Sequence, residues 1–193
     1  WTRNDPIGTS AQPEDDHSPE GIRCFFTGQG SIGGTLSEAD VDGGITTLVS
    51  PAFSLVGYTA PKVSYFRWFS NHIGVATNSN DVLLAQISAD NGSSWTTLET
   101  VGPNGAGTSG GWVGVRVDVP ASVALTSTMK LRFRVNDTGV DNTVEAAIDD
   151  VRVFSYTCTT CPSDWNNDGS TSSQDFFDFL AAFFALNADF NHD

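Results

Sequence analysis

Met129-Lys-Leu-Arg-Phe-Arg-Val-Asn136 alternates an apolar residue with a cationic or polar one along its whole length. In an extended chain successive side chains point to opposite faces, so Met129, Leu131, Phe133 and Val135 share one face and Lys130, Arg132 and Arg134 the other. One dry face and one wet face describe a strand of an antiparallel sheet packed on a core. Working outward, Val113, Val115, Val117 and Val119 oppose Trp112, Arg116 and Asp118 in the same way. Further short runs lie at 22–27, 45–50, 62–71, 82–88, 95–101 and 144–154, separated by Gly, Asn, Asp and Pro. With 112–119 and 129–136 they make eight expected strands and no helical stretch between them. That pattern predicts an all-β, antiparallel jelly-roll β-sandwich over residues 1–157. An immunoglobulin-like sandwich fits less well, because the Cys…Trp…Cys spacing is missing.

Local motifs agree with strands and tight turns. Ser88-Ala-Asp90-Asn-Gly92-Ser-Ser94-Trp95 reads as an Asp-box hairpin, in which Asp90 bonds the turn backbone and Trp95 packs beneath. Asn91-Gly-Ser93 and Asn136-Asp-Thr138 are glycosylation sequons at expected turns or strand ends, making Asn91 and Asn136 candidate acceptors.

Charge narrows the partners. Nine Lys and Arg stand against 23 Asp and Glu in 193 residues, a formal charge of −14. No Lys or Arg follows Arg152, so the tail is purely acidic. Such a chain repels nucleic acid and anionic membranes and attracts metal ions or basic partners. No apolar run approaches the ~20 residues of a membrane span. The start at Trp1 suits a secreted protein trimmed of its signal peptide, or a fragment.

The tail carries the most specific motif. In DWNNDGSTSSQD, Asp164, Asn166 and Asp168 fall at positions one, three and five of a twelve-residue calcium loop. Ser170 offers its backbone carbonyl at seven, Ser172 a hydroxyl or bridging water at nine, and Asp175 a carboxylate at twelve. Gly169 occupies position six, where the chain turns sharply. The alternative is an Asp-rich surface turn without metal. The pattern begins again at Asp189, Asn191 and Asp193, 25 residues after Asp164, and the sequence ends there. Two loop–helix units in tandem at this spacing resemble the dockerin family, calcium-dependent docking modules of secreted bacterial proteins. Dockerin loops also carry Asp at position twelve, as Asp175 does here. The resemblance covers about thirty residues (164–193) with one complete repeat, and it implies docking rather than catalysis.

A second resemblance spans most of the first 155 residues. PEDDHSPEGIRCFFTGQG (13–30), DVDGGITTLVSPAF (40–53) and VEAAIDDVRVF (144–154) are similar to secreted jelly-roll domains of the MAM-like type. Such domains are appended to bacterial extracellular proteases, including zinc carboxypeptidases. The resemblance implies one structural calcium shared by Asp15 or Asp16 with Asp149 or Asp150, with Asp40, Asp42 and Glu145 as further candidates. Asp40 and Asp42 could equally just shape a Gly-rich turn. Asp149 and Asp150 break the apolar pattern before Val151 and Val153, and a carboxylate near a sheet core needs a partner to offset its desolvation.

Residues 158–163 read as a linker. Its Cys158 and Cys161 could close as a disulfide in an extracellular protein, leaving Cys24 buried and free; Cys24 paired to one of them is the alternative. Catalytic signatures are not recognised: the chain is read as having no G-x-S-x-G elbow, no H-E-x-x-H helix and no P-loop.

After the calcium loop, FFDFLAAFFAL predicts a helix over 176–186. Phe176, Phe177, Phe179, Leu180, Phe183, Phe184 and Leu186 cover about half its circumference. Leaving such a face in water would cost on the order of 20 kcal/mol at ~25 cal/mol per Å². Phe176, Phe179, Leu180, Phe183 and Phe184 are therefore expected to bind a partner. These features together predict a non-catalytic extracellular calcium-binding protein. Its role is assembly, the helix docking to another protein such as an identical subunit in a head-to-tail surface fibre. The competing readings are a carbohydrate-binding or adhesion module presenting Trp68, Trp112 or Tyr65 to extracellular glycans, and the detached C-terminal region of a secreted protease.

Overall fold

Alternation along 129–136 does produce a strand with one buried edge of side chains. In the computed structural model, which describes residues 1–73, 80–138, 142–156 and 163–185, the chain forms two compact units, Trp1–Ser155 and Tyr156–Asp193. The first unit holds nine strands among the described residues: β1 (Thr2–Asn4), β2 (Cys24–Phe26), β3 (Gly44–Val49), β4 (Lys62–Ile73), β5 (Leu83–Ser88), β6 (Thr96–Val101), β7 (Val113–Asp118), β8 (Lys130–Asp137) and β9 (Thr143–Phe154). They pair antiparallel in two sheets, β1-β2-β9-β4-β7 and β3-β8-β5-β6, which face each other as a β-sandwich.

The eight expected strands are all present, and β1 is a ninth. Three residues at a sheet edge are too few to leave a periodic signal, so β1 was invisible to patterning. The strand expected from residue 22 starts instead at Cys24, because the Asp16 carboxylate takes the Arg23 N–H at 3.1 Å and Ile22 stays exposed.

Inward-facing residues of both sheets make the core. From β4 come Val63, Tyr65 and Phe69, and from the facing sheet Leu83, Ile87, Leu131, Phe133 and Val135, all buried. Tyr65 meets Phe133 edge-on at 5.0 Å. Asp90 behaves as the Asp-box reading requires: its Oδ1 accepts from Ser94 N at 2.8 Å and from Ser88 Oγ at 2.7 Å. Trp95 Nε1 donates to the Gly92 carbonyl at 3.0 Å, and the Arg132 guanidinium lies 4.2 Å over its ring. The second unit contains α1 (Ser173–Phe184). Among the described residues no helix is long and apolar enough to cross a membrane.

Candidate functional site

The acidic loop of the second unit is wound by its own side chains. Asp164 Oδ1 and Asn166 Oδ1 both accept the Asp168 N–H at 3.0 Å, so the two oxygens converge on one point of the backbone. Asp164 Oδ2 accepts from Gly169 N at 2.9 Å, and Asp168 Oδ1 from Ser170 N at 2.9 Å. Gly169 has φ 87°, the left-handed conformation that position six demands. Asn167 also turns left-handed, at φ 56°.

Asp175 joins loop to helix. The residue is 3% exposed; its Oδ2 accepts from Ser172 N at 2.7 Å and its Oδ1 from Asn166 N at 3.5 Å. Ser172 is the N-cap, and Asp175 is the third residue of a capping box, so α1 begins three residues earlier than the apolar run alone predicts. The backbone N–H groups of Ser172 and Asn166 hold the Asp175 carboxyl below the ordinary range against its partial desolvation. A shielded carboxylate thus stays ionised in a segment of sequence that contains no Lys or Arg. The available donors from Asp164, Asn166, Asp168, Ser170, Ser172 and Asp175 are all hard oxygens, a set that suits calcium chemically. Among the described residues, no three His, Cys, Asp or Glu side chains already stand grouped as a metal shell. Asp189, Asn191 and Asp193, and likewise Cys158 and Cys161, lie outside the described residues.

The expected aromatic face divides. Phe179 packs edge-on against Trp165 at 5.1 Å, and Leu180 is half-buried. Phe176, Phe177, Phe183 and Phe184 are 55–78% exposed. Phe179 is half-buried against Trp165, and Phe177 stands exposed with Phe176, Phe183 and Phe184.

On the sandwich, the Asp pair sits at an irregularity of β9. Opposite β4 the register slips between Ser64 and Phe66, and Asp150 takes φ 50°. The bulge turns both carboxylates toward residues 16–18. Asp149 Oδ2 accepts from His17 N at 3.0 Å; Asp150 Oδ2 meets His17 Nδ1 and Oδ1 accepts from Ser18 Oγ, each at 3.0 Å. These bonds, His17 first, hold the Asp150 carboxyl below its ordinary range. Asp16 is close enough to Asp149, Asp150 and Asp15 to feel their charge, and its carboxyl is raised, chiefly by desolvation. Here the chain itself supplies the partner that Asp150 needs; the His17 role was not legible in the sequence beyond its adjacency to two acids.

The further candidates separate. Glu145 is buried on β9, donated to by Thr27 Oγ1, and burial pushes its carboxyl up to about 8, with Asp40 nearby adding to the rise. Asp42 is exposed at the Gly43-Gly44 turn. Cys24 is buried and free, and its thiol is pushed up to about 12 by desolvation. Asn91 is exposed at φ 59°, whereas Asn136 is half-buried with Oδ1 accepting from Val82 N.

The aromatic sugar platform is not formed as expected. Tyr65 is 1% exposed in the core, with its hydroxyl donating to Glu99. Trp68 and Trp112 meet at 73° rather than coplanar, and their Nε1 atoms donate to the Ala11 and Asp15 carbonyls. Against the expectation of no G-x-S-x-G, Gly107-Thr-Ser109-Gly-Gly111 does match that pattern. It lies in the β6–β7 connection, with Ser109 bridged to Ser70, and has no helix after it, so it is not a nucleophile elbow.

The protein is thus a two-sheet antiparallel β-sandwich followed by an acidic loop–helix unit. No protein-family model and no curated protein matches the sequence. Among solved structures it is similar to the K1 cleaved adhesin domain of Lys-gingipain from Porphyromonas gingivalis W83, at 18% identity and TM-score 0.42, covering 81% of this chain and 91% of that one. It is also similar to CBM27-1 of Caldicellulosiruptor saccharolyticus, solved in complex with mannohexaose, at 13% identity and TM-score 0.41, covering 72% and 78%.

Proposed function

We propose that the protein is a non-catalytic, extracellular assembly protein: a jelly roll carrying a calcium-ordered loop–helix that docks onto another copy of the chain. The strand order β2-β9-β4-β7 against β3-β8-β5-β6 supports the jelly-roll reading. The observation that carries the functional reading is the double role of Asp175. It occupies loop position twelve and closes the capping box of α1, so one side chain couples metal binding to the start of the helix. Calcium at the loop draws in Asp164, Asn166 and Asp168, relieves their repulsion and fixes α1. Phe176, Phe177, Phe183 and Phe184 then form the docking ridge. Sedimentation of the purified protein with calcium and with chelator tests this directly. Calcium-dependent association supports the reading, and a monomer in both buffers at high concentration refutes it.

A further inference from the structure

Two adjoining hollows, of about 490 and 420 Å³, open on the outer face of the five-stranded sheet and share Asp150 and Arg152. Register explains their shape. Ser64 of β4 pairs with Arg152 of β9 on one side and Arg116 of β7 on the other. With strands about 4.8 Å apart, the two arginine backbones stand roughly 10 Å from one another across a floor of one small side chain. Gly114 extends that floor: a Cβ there would stand 2.9 Å from the Phe66 ring. Phe66, covered by His17 at a ring separation of 3.3 Å, forms a firm wall.

The charges lining this trough are only partly spent inside the protein: Arg152 feels the charge of Asp150, and Glu20 lines the second hollow beside them. Among the described residues no carboxylate lies within ion-pair distance of Arg116 or Arg152, although the next row pairs Lys62 with Asp118. Arg116 rests 5.6 Å from the Phe154 ring centre, and both arginines are exposed. Asp150, left-handed at the bulge, lines both hollows and retains acceptor capacity beyond its bonds to His17 and Ser18.

We propose that the trough binds a uronic-acid residue of a glycan, its carboxylate held between Arg116 and Arg152 and its hydroxyls donating to Asp150. Guanidinium forks match a carboxylate in geometry as well as charge. Sugar hydroxyls both donate and accept, which suits a site mixing Arg with Asp. A polyglutamate or polysulfate fits worse, because it lacks the hydroxyls that would donate to Asp150 beside the two arginines.

Calorimetry on the full chain with trimers of galacturonate, glucuronate, mannuronate and guluronate tests the site, alongside their methyl esters and hexaglutamate. At least one acid is expected to bind, with its ester weaker by about tenfold or more. Arg116→Gln and Arg152→Gln should each show a similar loss with unchanged thermal unfolding. Ser64→Gln, which fills the floor and keeps both guanidiniums, should weaken binding too. The proposal is overturned if no acid binds at millimolar concentration, if ester and acid bind equally, or if both Arg variants bind like the parent. Hexaglutamate binding as tightly as the best trimer would overturn it as well, and make the trough a peptide site.

Discussion

Arg67 on β4 and Glu99 on β6 form an ion pair across the two sheets, Nε to Oε1 at 2.9 Å, with both side chains largely shielded from water. Tyr65 donates its hydroxyl to the other Glu99 oxygen at 2.6 Å, and burial with this bond raises the phenol above its ordinary range. The Arg67 guanidinium also reaches the Gly107 carbonyl. A buried cation without its carboxylate is costly, so Glu99→Ala should destabilise the sandwich by about 3–5 kcal/mol. Urea unfolding measures this. A loss under about 1 kcal/mol, the size of an exposed pair, would show that water reaches the site.

Calcium removal should loosen the tail while leaving the sandwich folded. Chelation is expected to reduce the far-ultraviolet helical signal, with near-ultraviolet aromatic signals of the sandwich preserved. Asp175→Ala should mimic chelation in calcium buffer, since it removes both the proposed metal ligand and the capping box, the latter alone being worth about 1 kcal/mol. Helicity that ignores complete metal removal would reject the calcium loop.

Glu145 should make stability depend on pH. Its folded value of about 8 lies above the ordinary glutamate value. The folded state therefore holds the proton more tightly than the unfolded chain. The associated stability is complete below about pH 4, declines as pH rises, and is lost once pH passes about 8. Melting in chelator should fall across that window, and Glu145→Gln should flatten the profile. An identical slope in parent and variant would place the titration elsewhere.

Asp150→Ala removes the acceptor of His17 and Ser18 and puts alanine at φ 50°. From the two hydrogen bonds a loss of about 1–3 kcal/mol is expected, equal with calcium and with chelator. A loss confined to calcium buffer would instead assign a metal shared with Asp15 or Asp16, because ligand linkage acts only when ligand is present.

The proposed docking role of the exposed phenylalanines can be tested by removing them. Phe183→Ser with Phe184→Ser should abolish calcium-dependent association at unchanged helicity, because both rings are more than half exposed. Deleting residues 187–193 should weaken it if Asp189, Asn191 and Asp193 take part. Light scattering distinguishes these outcomes, and assembly like the parent in both variants ends the assembly reading.

Strict alternation in 113–119 and 129–136 was enough to read an antiparallel sandwich, since period two fixes which side chains share a face. The tail turn and its helix were legible too, because their bonds are local, linking residues no more than twelve apart. What only the tertiary structure decided depends on residues distant in sequence. His17 meets Asp150 across 133 positions, and Thr27 meets Glu145 across 118. Tyr65, a candidate sugar-binding aromatic in the carbohydrate-module reading, is buried by its place on β4. Arg116 and Arg152 became neighbours only because β7 and β9 flank β4 in one sheet. Local hydrogen bonding and side-chain period are written in consecutive residues; the pairing of strands far apart in the chain, and the cavities between their side chains, arise only when the sheets close.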